Sequence, residues 1–232
     1  MRRWLTAVCF ALGFVPSTAL AQWSDQGTQY YDEGAVRTEP NRRRSEVTLG
    51  ATAGVVTGIA SAFPNEIAKI DDPRFESSTG FGAGGYGSAW LGGALSDWLT
   101  FGIGGAGGSM NGSRGHASLG AFLFRVETYP MIGLGGALGD VGIFTDLGLG
   151  TLTVEEGDKE KGEGGALSFV GVGALFEAVR FGHFALGPNA EYMHLWSVTG
   201  TVHAAHIALR IAYYGGPDEP AAAPINRSHA RR

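Results

Sequence analysis

Cysteine is almost absent from this chain: Cys9 is the only one, and it lies in an apolar segment near the N-terminus. Once that segment is removed, no disulfide, thiolate metal site or cysteine nucleophile is possible. Excess positive charge is also lacking. The formal net charge is −5, which gives no reason to expect a nucleic-acid partner. No stretch of about 18 apolar residues runs without interruption, so a spanning helix is not expected. The nearest approach, Met131–Leu152, carries Asp140, Asp146 and many glycines.

The N-terminus reads as an export signal. Arg2 and Arg3 precede an apolar run from Trp4 to Val15, and Ala19-Leu20-Ala21 is a small-x-small site before Gln22. This is the layout of a secretory signal peptide cleaved after Ala21. Removing residues 1–21 takes two arginines with it and lowers the formal charge from −5 to −7. Residues 22–44 are polar, with Tyr30-Tyr31 and Arg42-Arg43-Arg44, and read as a flexible leader ending in a solvated charged run. Residues 215–232 are rich in proline and alanine and read as a disordered tail.

Glycine is abundant, at 39 residues, and concentrates between Gly50 and Gly187. There it belongs to an alternating pattern. Val141, Ile143, Leu147 and Leu149 take one parity; Gly142, Asp146, Gly148 and Gly150 take the other. Such a strand suits lipid on one side and a polar interior on the other. Eight strands can be drawn, at 45–61, 79–95, 98–109, 116–128, 140–154, 165–179, 184–197 and 201–214. A strand of about 13 residues tilted about 40° rises roughly 30 Å, enough to cross the apolar layer. Asn111-Gly112 reads as a turn. The connections alternate between long or charged (62–78, 110–115, 155–164) and short (96–97, 180–183). The 129–139 connection breaks that alternation, and part of it fits strand. Trp98, Tyr129, Phe181, Phe184, Tyr213 and Tyr214 gather at the short-turn ends, with Phe63, Tyr192 and Trp196 near the other rim. These are expected to form interfacial aromatic girdles.

With that export signal, strand count, loop alternation and final strand (Ile207-Ala208-Leu209-Arg210-Ile211-Ala212-Tyr213-Tyr214), residues 45–214 resemble the small eight-stranded outer-membrane barrels of Gram-negative bacteria, the outer-membrane protein A and X type. The resemblance implies an all-β, antiparallel up-and-down transmembrane barrel in the bacterial outer membrane. It further implies outer-membrane lipid, lipopolysaccharide and the assembly machinery as partners, a monomeric state, and no cofactor. The short-turn ends would then be periplasmic.

The inward parity collects Arg125, Glu127, Asp146, Glu177, Asn189, Glu191, His206 and Arg210. A barrel of eight strands is filled by its side chains, and charges inside it must pair or stay wet. They are expected to form a structural network. A polar conduit or small-ligand site is the alternative. Gly82-x-Gly84-x-x-Gly87 and Gly102-x-Gly104-x-x-Gly107 match the dinucleotide fingerprint, but each lies within a strand pattern with no helix after it. Letting strands bend and pack closely is the expected role of these glycines. Glu191-Tyr192-Met193-His194-Leu195-Trp196-Ser197 faintly resembles the histidine–serine strand of the outer-membrane lipid A deacylases. Those enzymes pair residues two apart, whereas His194 and Ser197 are three apart, on opposite faces of an ideal strand. His203 and His206 also fall on opposite faces, and no metal site is expected.

The leading expectation is a non-catalytic barrel with a structural, adhesion or surface-interaction role. The alternatives are a lipid A hydrolase using His194 and Ser197, a narrow pore, or a soluble periplasmic barrel holding an apolar ligand. The last would need large side chains inward and polar ones outward. The facing of Arg125, Glu127, Glu191 and Arg210 therefore decides whether the membrane reading survives.

Overall fold

A computed structural model describes Arg44 and residues 46–215. The expected signal peptide, the leader before Arg44 and the tail beyond Gly215 lie outside the described residues. The strands are β1 (Glu46–Ala62), β2 (Ser77–Ser96), β3 (Leu99–Gly112), β4 (His116–Thr128), β5 (Val141–Glu155), β6 (Gly162–Phe176), β7 (Val179–Phe181), β8 (Phe184–Trp196) and β9 (Gly200–Tyr214). Consecutive strands from β1 to β6 pair antiparallel, β8 pairs with β9, and β9 returns to β1. Both β6 and the short β7 pair with β8, so they are two pieces of one stave. The sheet closes as eight staves and leaves no long unpaired edge.

The alternation decides which way each residue faces. Val47, Leu49, Val55 and Ile59 of β1 are exposed on the outer wall. So are Ile143, Leu147 and Leu149 of β5, and Ile207, Leu209 and Ile211 of β9. Exposed apolar side chains circle the barrel, an arrangement that suits hydrocarbon and is rare on monomers in water.

The interior differs from a uniform glycine-and-charge lining and divides into two zones. Toward the end bearing the long β1–β2 and β5–β6 loops it is apolar. Val56, Met110, Leu119, Leu123, Leu152, Leu167, Phe169, Met193 and Leu195 form one buried cluster there. Toward the end bearing the termini it is charged. A narrow barrel is a packed core, so bulky apolar residues compete for the inward parity along with polar ones.

Several boundaries move from the expected ones. Asn111 and Gly112 are not a turn. They still pair with His116 of β4 and Gly82 of β2, and the chain reverses over 113–115, where the Gly112 N–H donates to the Gly115 carbonyl (2.8 Å). The 129–140 connection contains no strand. It forms two short 3-10 turns, Ile132–Leu134 and Gly136–Asp140, with positive φ at Gly135 between them and at Gly136, which opens the second. The sixth stave begins earlier than expected, at Gly162, and breaks at Glu177-Ala178.

Candidate functional site

The charged half of the interior is built from inward-facing residues of β4, β5, β8 and β9, from Glu177 in the break between β6 and β7, and from one residue ahead of β1. Arg125, Glu127, Asp146, Glu177, Asn189, Glu191, His206 and Arg210 are all buried and face inward. Arg125 and Asp146 are direct partners across β4 and β5. Arg125 grips the carboxylate with two bonds, Nε to Oδ1 (2.8 Å) and Nη2 to Oδ2 (2.6 Å). The guanidinium carbon lies 4.1 Å from the Trp90 ring centre and 4.5 Å from that of Phe144. Such a fork combines charge, directed bonds and stacking, which lysine could not reproduce.

Nearer the terminus end, Arg210 Nη2 donates to Glu127 Oε2 (2.7 Å) and to the Tyr214 hydroxyl (3.1 Å). Its Nη1 reaches Glu177 Oε1 at 3.5 Å. Glu177 also accepts from the hydroxyls of Tyr129 (2.9 Å) and Tyr214, and from Arg180. Tyr129 and Tyr214 therefore do not belong to the outer aromatic girdle. Both are buried inside, with hydroxyls 2.9 Å apart. At a strand's end, parity alone decides whether an aromatic meets lipid or the lumen. Trp98, Phe181, Phe184 and Trp196 do stand exposed on the outside, while Tyr213 packs against Phe184 with ring centres 5.3 Å apart.

Arg44 departs from the reading of the arginine run as a solvated end, while Arg42 and Arg43 lie outside the described residues. Arg44 is 1% exposed. Its backbone N–H donates to Asp97 Oδ1 (2.8 Å), its Nη1 to the Asp97 carbonyl (3.0 Å) and its Nη2 to Glu177 Oε2 (2.8 Å). Its guanidinium lies 3.4 Å from the Tyr129 ring centre. Arg44, two residues ahead of β1, thus closes the charged end of the barrel. A run of arginines carries no sequence signal of which member finds buried carboxylates.

Higher up, His206 is the direct partner of Glu191, with Nδ1 3.6 Å from Oε2, and it packs edge-on against Tyr86 at 4.8 Å. Glu191 leans over Gly171, where a Cβ would come within 2.3 Å of Oε1. Both side-chain atoms of Asn189 and both ring nitrogens of His206 lack hydrogen-bond partners among the described residues. Three guanidiniums (Arg44, Arg125, Arg210) thus meet Asp146, Glu127 and Glu177, while Glu191 faces only an imidazole at short range.

The loop end carries a second polar assembly that sequence reasoning missed. Arg114 Nη2 donates to Glu156 Oε1 (2.8 Å), the Ser78 N–H to Glu156 Oε2 (2.7 Å), and Lys159 Nζ lies 3.3 Å from the same Oε2. Partial desolvation works against the Glu156 carboxylate, but these partners outweigh it and hold the carboxyl below its ordinary value. Lys69 of the β1–β2 loop bonds Glu160 of the β5–β6 loop (2.6 Å), and Ser77 Oγ donates to the Glu160 carbonyl (3.1 Å). The backbone N–H of Glu163 donates to the Phe63 carbonyl (2.9 Å). These loops spring from staves on opposite sides of an eight-stave ring, so their contacts cross the mouth.

The histidine–serine pairing is not made. Ser197 Oγ accepts from the N–H groups of Thr199 (3.1 Å) and Gly200 (3.2 Å) and pairs with Thr199 Oγ1 (3.0 Å), bonds that build the β8–β9 turn. His194 Nδ1 bonds the Val202 carbonyl (3.1 Å), and its ring stacks on Trp196 and His203 on the outer wall. No bond joins Ser197 to His194 among the described residues. His203 and His206 point to opposite faces, outward and inward. Both dinucleotide-like glycine triplets lie within β2 and β3 and precede no helix.

A closed ring of eight antiparallel staves, lipid-suited outside and packed with side chains inside, is an up-and-down β-barrel with the architecture of small membrane-spanning barrels. No family model and no curated protein matches the chain. Among solved structures the chain is similar to Neisserial surface protein A, with 13% identity and a TM-score of 0.45, over 73% of this chain and 97% of that one. It is also similar to outer membrane protein AlkL, solved by solid-state NMR in DMPC bilayers, with 9% identity and a TM-score of 0.37, over 81% and 96% of the two chains.

Proposed function

We propose that this chain is a bacterial outer-membrane barrel whose role is structural or surface-interacting, without catalysis, and that its loop face carries the interaction. One observation carries the reading: the lumen is occupied along its length. Apolar side chains fill the loop half, an ion-paired network fills the terminus half, and loops from opposite staves meet across the mouth. An occupied lumen supports a scaffold over a pore. Ser197 serving its turn, away from His194, supports the absence of hydrolysis. In the proposed orientation the termini are periplasmic and the tied loops face outward.

The test has three readouts. Unboiled protein should migrate differently from boiled protein on a denaturing gel and fractionate with the outer membrane; recovery in a periplasmic extract would reject the location. Planar bilayers containing the barrel should show no unitary current steps. The lipid A mass spectrum should be the same with and without expression. Regular steps or a loss of acyl mass would each replace the proposed role with a pore or an enzyme.

A further inference from the structure

The outer wall is not evenly covered. On its terminus-end half, β1 and β2 place Ala51 directly opposite Ala89, and β9 adds Ile211 across from Ala51. Two alanines side by side leave a depression beside the larger Leu49–Leu91 pair. Leu49 and Tyr213 stand opposite each other on one side of it, and Phe184, the partner of Tyr213, completes the rim. The result is an apolar groove of about 550 Å³.

Its floor has an unusual feature. Gly50 faces inward and has no side chain. The Trp90 indole folds against it so closely that a Cβ there would fall 2.1 Å from Cζ2. Trp90 is 6% exposed, its ring stacks on the interior Arg125, and the residue is nonetheless among those lining the groove. The wall is therefore only a glycine thick at this point.

We propose that the groove is a binding site for one acyl chain of a phospholipid, drawn from the leaflet at the terminus end. This rests on the membrane reading of the outer wall. The groove is continuous with the lipid-facing belt, bordered by exposed Leu91, Leu209 and Ile211. It lies just inside the aromatic rim of Phe181, Phe184 and Tyr213, at the depth where acyl chains begin. No lysine or arginine lines it, so recognition is of the hydrocarbon and not of a headgroup. A chain seated there supplies the dispersion contacts that Gly50, Ala51 and Ala89 leave unmade.

The position of Trp90 provides the test. The barrel, with every other tryptophan replaced by phenylalanine, is reconstituted in phosphatidylcholine vesicles whose acyl chains carry bromine, a contact quencher. Trp90 emission should be quenched. Filling the groove by Ala51→Leu/Ala89→Leu should abolish most of that quenching, whereas Ala53→Leu, outward-facing but outside the groove, should leave it unchanged. Absence of quenching in the parent barrel, or equal quenching in the filled variant, overturns the proposal. Disulfide-linked dimers of an Ala89→Cys variant would assign the groove to a second copy and overturn it as well. A barrel that inserts and shows the gel shift but no quenching rejects the groove alone. A barrel that fails to enter bilayers rejects the membrane reading.

Discussion

At the scale of the residue, the interior charges set the stakes. Asp146 and Arg125 are each about 1% exposed and bound by two hydrogen bonds. Asp146→Ala would strand a buried guanidinium, and removal of one partner from a buried pair costs about 3–5 kcal/mol. Replacing both by leucine should cost much less, because no charge is then left unpaired. Equilibrium unfolding by urea in lipid vesicles measures the difference. Arg44 makes a related case. Arg44→Ala should lower the temperature at which the folded band converts to the unfolded one on a gel. Arg44→Lys should recover only part of the loss, since an ammonium cannot bond Asp97 and Glu177 while stacking flat on Tyr129. Gly50→Ala should also destabilise, by about 1–3 kcal/mol as an overpacking substitution, with a shift in tryptophan emission as the Trp90 ring is displaced.

At the scale of the element, the loops are tied by charges at the water's edge. Glu156 has its carboxyl held below the ordinary value by Ser78, Arg114 and Lys159. A depressed folded value means the tie is complete above the ordinary carboxylate range and is lost as pH falls through the lowered value. Amide protection in residues 155–162, taken relative to the intrinsic exchange rate at each pH, should therefore be unchanged between about pH 8 and pH 5 and fall below about pH 4. Loss of protection beginning at neutral pH would contradict this account. Strand positions were legible at this scale because a two-residue period leaves a plain trace. The 3-10 turns at 132–140 were not, since so short a segment of glycine and leucine has no period to read. The crossing of the β1–β2 and β5–β6 loops was illegible for another reason: Lys69 and Glu160 meet only because the ring brings opposite staves together.

At the scale of the whole molecule, the outward parity is a statement about solvent. Leu147 stands on the outer wall, 48% exposed, between Ile143 and Leu149. In lipid, Leu147→Arg should cost about 2–4 kcal/mol if the position lies near the bilayer midplane, and less toward the interfaces. On a soluble barrel the same exposed site would tolerate arginine within about 0.5 kcal/mol. Folding yield into vesicles and unfolding by urea distinguish the two. The inward side carries the complementary lesson. Arg125, Glu127, Glu191 and Arg210 do face the lumen, yet they occupy only one half of it. The rest is an apolar core under the loops.

Strand number, facing and the polar inward set follow from the sequence alone, because alternation is a local property that each residue carries with it. The chain order of Arg125, Glu127, Asp146, Glu177 and Arg210 shows that these residues share a side. It does not show that Arg125 takes Asp146 while Arg210 takes Glu127. Pairing depends on the stagger between staves, and stagger is settled only when the ring closes. Closure also decided that Arg44 meets Asp97 and Glu177, and that the hydroxyls of Tyr129 and Tyr214 meet each other. These are contacts between residues far apart in the chain, and no local pattern encodes their distance.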